Sequence, residues 1–420
     1  VKKVWIPLII IAVLVGAYFG SSAVFAARAE KGLAALKALG FPVTPAEMAA
    51  RYGSGVNPTG RMLNTAAANL EEDLRHRLPQ IESLAATSDP AAADSVVRSK
   101  SAVIATLMAV ADSPPATFGL KYDSGFTARL PEILPALPSF QTLLRLDARL
   151  LARAGKPDSA LCVLRAAVRM NSIMSEPTLI HVLAEIVGFD STCALLGRFA
   201  STASPTARKS VADELSRFDI RELLIRAIAG DAILNDVTAT RQGPLSDEEG
   251  QLLLPYLRFA PLRNYARDVA LRITGPRLAA AALPWHEGRA EIERIEAQVT
   301  GAGLRSRIVR IATPKVEIFY ARAERASARR DAALLGLAVL DYRAQTGRLP
   351  ATLAEAMPSG PFDPFTGRAF LYKVEPDGFT VYSTGRDETD HEGNAVNDIV
   401  FIVPLDKDRR LRETEGPAVR

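Results

Sequence analysis

With 420 residues, 48% hydrophobic and only 6% aromatic, the chain is long enough for a sizeable core, and alanine and leucine supply most of it, which favours helices over sheets. A formal net charge of +4, spread along the chain, excludes the concentrated basic patch of a nucleic-acid binder, so no nucleic-acid partner is expected. Two cysteines, Cys162 and Cys193, and four scattered histidines form no zinc-ligand spacing; the cysteines read as small core residues, with pairing in an oxidising compartment as the alternative.

Residues 4–27 carry no charge and are dominated by Ile, Leu, Val, Ala and Phe, with Lys2 and Lys3 in front and Arg28 behind. At about 1.5 Å per residue such a helix crosses a hydrocarbon core of about 30 Å. Residues 1–27 therefore read as a single-pass transmembrane anchor, and the paired lysines place the N-terminus in the cytoplasm with the body outside it. The rival is a cleaved signal peptide, since Ala23-Val24-Phe25-Ala26 offers small residues for cleavage; the length of the apolar run favours the anchor.

Residues 28–112 form a membrane-proximal helical segment. Its amphipathic first part runs to the Gly40-Phe41-Pro42 break, and Thr44-Pro45-Ala46-Glu47 then reads as a capping box. The leucine spacing predicts a helix over 61–86, interrupted near Pro79, and another over 94–111. A proline-rich joint, 113–139, leads into an α-helical body over 140–313. There, helices are predicted over 140–153, 159–172, 177–200, 206–218, 219–240, 264–273 and 290–300. A capping box at Ser246-Asp247-Glu248-Glu249 opens a further one, and Leu283-Pro284-Trp285-His286 reads as a packed hinge. No period of about 34 residues recurs, so this is an irregular α-helical array.

After Pro314 comes the longest periodic segment. Val316, Phe319, Ala323, Ala326, Leu335 and Val339 mark its apolar stripe; Glu317, Arg322, Glu324, Arg325, Arg329 and Arg330 mark the opposite face, which is expected to be solvated. Gly347 ends this helix and Pro350 opens a short one. Beyond Met357 the period changes to two: Phe379, Val381 and Ser383 alternate with Thr380 and Tyr382, and Glu375-Pro376-Asp377-Gly378 turns a hairpin. Residues 399–403 give a third strand, and a charged tail occupies 406–420.

Between hairpin and third strand lie Asp387, Glu388, Asp390, Glu392 and Asp398. Carboxylates held close repel one another, so the loop either stays open in water or closes around a hard cation such as Ca²⁺. Glu388, Asp390, Glu392 and Gly393 mimic the start of an EF-hand loop, but the residue at its closing position is Ile399, which excludes that site. A second use of the acids is an exported hydrolase with Asp387 and Asp390 as its acid/base pair, which requires burial to raise one pKa.

The run from LLGLAVLDYRAQTGRLP through DPFTGRAFLYKVEPDGFTVYSTGRDETDHEGNAVNDI resembles the C-terminal part of the G-type major pseudopilin of type II secretion systems. Asp363-Pro364-Phe365-Thr366-Gly367 and Tyr382-Ser383-Thr384-Gly385-Arg386-Asp387 are its most specific pieces. The resemblance implies a pseudopilin-like α+β module over 314–405, with a structural Ca²⁺ held by Ser383, Asp387, Asp390 and Asp398. Pseudopilins carry a glutamate inside the apolar N-terminal helix, and that helix runs straight into the fold. Here residues 4–27 have no charge and about 290 residues intervene, so filament assembly through that helix is not expected.

The expected fold class is mainly α: a transmembrane helix, an irregular helical array and a small C-terminal α+β module. The expected function is that of a non-enzymatic exported protein of the bacterial inner membrane, with protein partners in the cell envelope and a link to type II secretion or a pilus-like machine. The alternatives are the hydrolase and a free-standing envelope binding protein.

Overall fold

The computed structural model describes residues 2–87, 90–127, 131, 133–240, 259–299, 309 and 313–405, with side chains of the first helix from Tyr18 onward. The expected capping box at 246–249 and the charged tail lie outside the described residues. The fold is mainly α with a small three-stranded antiparallel sheet at the C-terminal end.

The first helix, α1 (Lys2–Ala38), is continuous through the end of the apolar run. Helix α2 (Pro45–Tyr52) opens on the expected capping box: Thr44 Oγ1 accepts from the Glu47 amide at 3.2 Å and Glu47 Oε2 accepts from the Thr44 amide at 3.2 Å. The predicted break at Pro79 is displaced. Helix α3 (Pro58–Ala68) ends at Asn69, and α4 (Glu72–Thr87) runs through Pro79. Residues 94–111 likewise divide, into α5 (Pro90–Ser99) and α6 (Ser101–Ala111). Between those two helices, Lys100 reaches back to the Asn69 carbonyl and to Glu71, so one side chain ties both breaks together.

The proline-rich joint is packed into the body. Ala116, Leu120 and Tyr122 are buried, and the 3-10 turn Tyr122–Thr127 lies against the helix Ile220–Thr240. Helices α7 (Leu137–Arg153) and α8 (Pro157–Arg169) form the expected hairpin. Residues 177–200 were expected as one helix but form α9 (Leu179–Ile186) and α10 (Phe189–Ala200). The break is at Gly188, whose left-handed φ of +84° requires the glycine; a Cβ there would also press on the side-chain ends of Gln141 and Arg145 at 2.6 and 2.9 Å. By length and composition Leu179–Ala200 is apolar enough to cross a membrane, yet half of it is buried inside the protein and Gly188 divides it.

Helices α11 (Pro205–Arg217) and α12 (Ile220–Thr240) follow, the latter opened by Asp219, whose Oδ1 accepts from the Glu222 amide at 3.0 Å. Helix α13 (Ala260–Ala281) is longer than predicted and continues through Pro276, and α14 (Trp285–Val299) starts at the hinge. Trp285 is fully buried there against Tyr320 and Phe365.

The C-terminal helix α15 (Val316–Thr346) ends at Gly347 in the left-handed region, followed by the short α16 (Leu353–Ala356). Strands β1 (Leu371–Glu375), β2 (Gly378–Ser383) and β3 (Ile399–Pro404) pair in the order β1-β2-β3, with Phe379 opposite Val403, Val381 opposite Phe401 and Ser383 opposite Ile399. These six residues share one buried sheet face, which packs on α15; at Gly336 a Cβ would lie 2.4 Å from the Phe401 ring.

The charged face of α15 is not solvated as expected. Glu324 and Arg329 are buried and Arg325 and Arg330 half-buried on the side that meets α10, α11 and α12, while Arg322 stays exposed. Arg325 and Arg329 each donate to Asp190 at 3.1 Å, Arg221 binds Glu324 through two 2.9 Å bonds, and Arg330 donates to the Phe218 carbonyl at 2.8 Å. Arg208 donates to Asp341 at 2.7 Å, and Ser201 Oγ to the Pro404 carbonyl at 2.9 Å. One continuous apolar core accordingly runs from Ala29 to Val403.

Candidate functional site

The acidic loop is held by the two strands it connects. Because side chains alternate along β2, Ser383 shares the buried face of Phe379 and Val381, while Tyr382 points to the other side. Ser383 Oγ donates to Asp363 Oδ1 at 2.9 Å and accepts from the Gly385 amide at 3.0 Å. Asp363 also accepts from the Phe365 amide at 2.9 Å and from Thr366 Oγ1 at 3.2 Å; burial pushes its carboxyl above the usual range. The Asp-Pro-Phe-Thr-Gly turn is thereby clamped beneath the end of β2, and the Ser383 proton is spent on that clamp.

The acids fall into two groups. Asp387 is exposed in the 3-10 turn Gly385–Asp387, with Oδ1 accepting from the Thr389 amide at 3.2 Å. Asp390 Oδ1 accepts from the Glu392 amide at 2.8 Å and from the Tyr382 hydroxyl at 3.3 Å. Asp398 is fully buried; its Oδ2 accepts from the amides of Gly393 and Asn394 at 2.8 and 3.1 Å. The Tyr382 phenol is pushed up to about 12, first by burial, then by Asp390, with Asp398 and Glu392 adding to it. Asp390 thus touches Tyr382, and Asp398 and Glu392 bear on it electrostatically.

Asp398 Oδ1 is buried without a hydrogen-bond donor, with the His391 ring nitrogen Nδ1 3.4 Å away. Arg386 turns away from the loop: it donates to Glu317 at 2.5 Å and lies 5.1 Å above the Trp285 ring. Of the four residues expected as metal ligands, Asp390 and Asp398 both act on the Tyr382 phenol, while Ser383 is engaged with Asp363 and Asp387 with the Thr389 amide. Among the described residues no three His, Cys, Asp or Glu side chains converge as a closed metal cluster. A buried carboxylate oxygen lacking a donor does fit a hard cation, because ionised oxygen in low dielectric is costly unless compensated. Sequence reasoning named Glu392 in the loop without giving it a role and missed Tyr382, although the alternation along β2 already set Tyr382 on the face opposite Ser383.

The pair Asp387 and Asp390, considered above for acid/base chemistry, is exposed. Buried ionisable groups gather instead at the centre of the body. Burial pushes Glu185 up to about 8, Glu176 to about 7 and Asp231 to about 7, and it lowers His181 to about 4. Glu185 Oε1 accepts from the Met174 amide at 2.8 Å, and Glu176 accepts from the Phe118 amide. These carboxyls fasten the 174–178 segment and the former joint to the body. Cys193 is buried as expected, Cys162 is exposed, and both are free thiols. No family model, no curated protein and no solved structure matches this chain.

Proposed function

We propose that this is a membrane-anchored, exported interaction protein in which a pseudopilin-like, calcium-stabilised module is built into a helical body. In this reading it resides in the bacterial inner membrane with a cytoplasmic N-terminus and meets protein partners of the envelope, within a secretion or pilus-like machine. The order of parts supports it: α15, the Asp363 turn, the β1-β2 hairpin, the acidic loop, then β3. The observation that carries the calcium part is the buried Asp398 Oδ1, left without a donor where the resemblance puts a metal-binding acid. Asp398 and Asp390 would hold the ion, which would neutralise the acids around Tyr382 and fix the loop between β2 and β3.

Two further observations shape the reading. One side of α15 is covered by the sheet and its charged face by α10, α11 and α12, so the module serves as a fixed cap and not as a polymerising subunit. Retention of the anchor is favoured because Tyr18, Ser22 and Phe25 contact Phe259, Asn264 and Tyr265, contacts that cleavage near Ala26 would remove.

Thermal melting of the full chain in detergent, in Ca²⁺ and in EGTA, tests the metal. Calcium at about 100 times its Kd is expected to add about 2.7 kcal/mol and raise Tm, and Asp398→Asn is expected to abolish the response. Identical wild-type melting curves in the two buffers would refute the calcium reading.

A further inference from the structure

Helix α13 runs parallel to α1 and begins beside its apolar part. Tyr18 stacks edge-on with Phe259 at 5.6 Å between ring centroids, Asn264 Nδ2 donates to Ser22 Oγ at 2.9 Å and to the Ser22 carbonyl at 3.2 Å, and Phe25 meets Tyr265 at 5.3 Å. Farther along, Arg267 pairs with Glu30 at 3.1 Å and Leu271 abuts Gly32. Rising numbers on one helix match rising numbers on the other, so both helices leave this end together.

The depth of this contact follows from length. A hydrocarbon core of about 30 Å takes about 20 residues of helix, so a span that begins after Lys3 ends near residue 23. Tyr18 then lies about 7 Å inside the hydrocarbon edge. Phe259, stacked on it, is carried to the same level. The surface there is of the right kind: among the described residues Phe19 is 66% exposed, Phe259 53% and Val24 50%. Two polar groups of α13 fall at this boundary: Asn264 has its amide satisfied by Ser22, and Arg263 has a stem long enough to carry its charge to the headgroups. Arg28 and Lys31, both exposed, follow about 7–12 Å beyond residue 23, at the level of lipid phosphates.

We propose that the first turn of α13, led by Phe259, is seated in the outer leaflet of the membrane beside α1, so that the body is held against the lipid surface in one orientation. This rests on the reading of residues 4–27 as a retained anchor and adds a second lipid contact far away in sequence. A single helix leaves a body free to swivel, whereas two contacts joined by the Asn264–Ser22 hydrogen bonds fix its tilt.

The test uses the full chain with Cys162→Ser and Cys193→Ala, reconstituted in phosphatidylcholine/phosphatidylglycerol vesicles. Single nitroxide labels at positions 11, 19, 259 and 283 are read for accessibility to oxygen and to a water-soluble nickel chelate. Labels at 11, 19 and 259 are expected to favour oxygen, with 259 matching 19 in depth, while 283, at the far end of α13, favours the chelate. A label at 259 that sees the chelate as 283 does, with 11 still in lipid, overturns the seating alone. Shielding of 259 from both reagents also overturns it, since a protein surface would then cover that turn. A label at 11 that sees the chelate overturns the anchor and the seating together. Each labelled variant is checked for wild-type Tm, and position 260 replaces 259 if the latter fails to fold.

Discussion

Replacing Arg221 by methionine is expected to lower the stability of the whole chain by about 3–5 kcal/mol, the usual cost of leaving one member of a buried ion pair without its partner. Glu324 is fully buried on α15; it accepts both Arg221 bonds from α12 and also the Trp285 amide at 3.3 Å. Burial pushes its carboxyl upward and Arg221 opposes this, so removing the guanidinium moves the folded-state pKa still further above the unfolded value. An acid with a raised folded pKa loses stability as pH rises through that pKa. The variant should therefore recover part of its loss as pH falls toward the range of a free glutamate, about 4.3. Urea denaturation at pH 5 and pH 7.5 reads both effects, and Arg221→Met combined with Glu324→Leu should recover most of the stability at both. A single-variant loss below about 1 kcal/mol would mean that the pair is solvated and the two helices are not locked.

Glu185→Gln is expected to act in the opposite direction, with a gain that grows from the ordinary carboxylate range up to about pH 8. Glu185, Glu176 and Asp231 are pushed up to about 8, 7 and 7 by burial, so above the ordinary carboxylate range the unfolded chain ionises first and stability falls until each folded pKa is passed. His181, lowered to about 4, runs against this trend below about pH 6.5, but it is one group against three. Arg226 and Arg169 lie near enough to favour the charged form of Glu185, and Glu176 disfavours it. Glutamine keeps an oxygen for the Met174 amide and carries no charge. Since each pKa unit between folded and unfolded states is worth about 1.4 kcal/mol, the variant should gain on the order of 5 kcal/mol over wild type at pH 8.5 and close to nothing at pH 4.5. Equal stability at both pH values would show that Glu185 ionises without cost and that the centre of the body is wet.

Much of this architecture was legible because its signals are local. The Thr44 capping box, the Gly347 helix end and the period-two runs of β1 and β2 each depend on a few neighbouring residues, and each lies where expected. The break at Gly188 was not legible, since a lone glycine does not reveal its φ, nor was that at Lys100, which is tied to distant partners, Glu71 and Asn69. The charged face of α15 misled for the same reason. Arginines interleaved with glutamates look alike whether they meet water or Asp190, Arg221 and the Phe218 carbonyl.

The acidic loop was partly legible. Its position between β2 and β3 could be read from the sequence, but the spread of carboxylates did not disclose which of them are buried. Ser383 belongs to the clamp with Asp363, and Tyr382 is touched by Asp390, with Asp398 and Glu392 bearing on it electrostatically. Strand alternation held that distinction, and the family resemblance, which directs attention to the serine, obscured it.

The C-terminal unit is built into the body as one cooperative structure, joined to it by the ion pairs and the shared core. Native-state hydrogen exchange of the full chain, followed by mass spectrometry at increasing sub-denaturing urea, tests it most directly. Amides of α15 and of β3 from Phe401 to Val403 should exchange with the same free energy and the same urea dependence as those of α12, because Arg221, Arg329 and Arg330 bind these elements into one core. Opening of residues 316–404 in a separate step of lower free energy, while α12 stays protected, would contradict it.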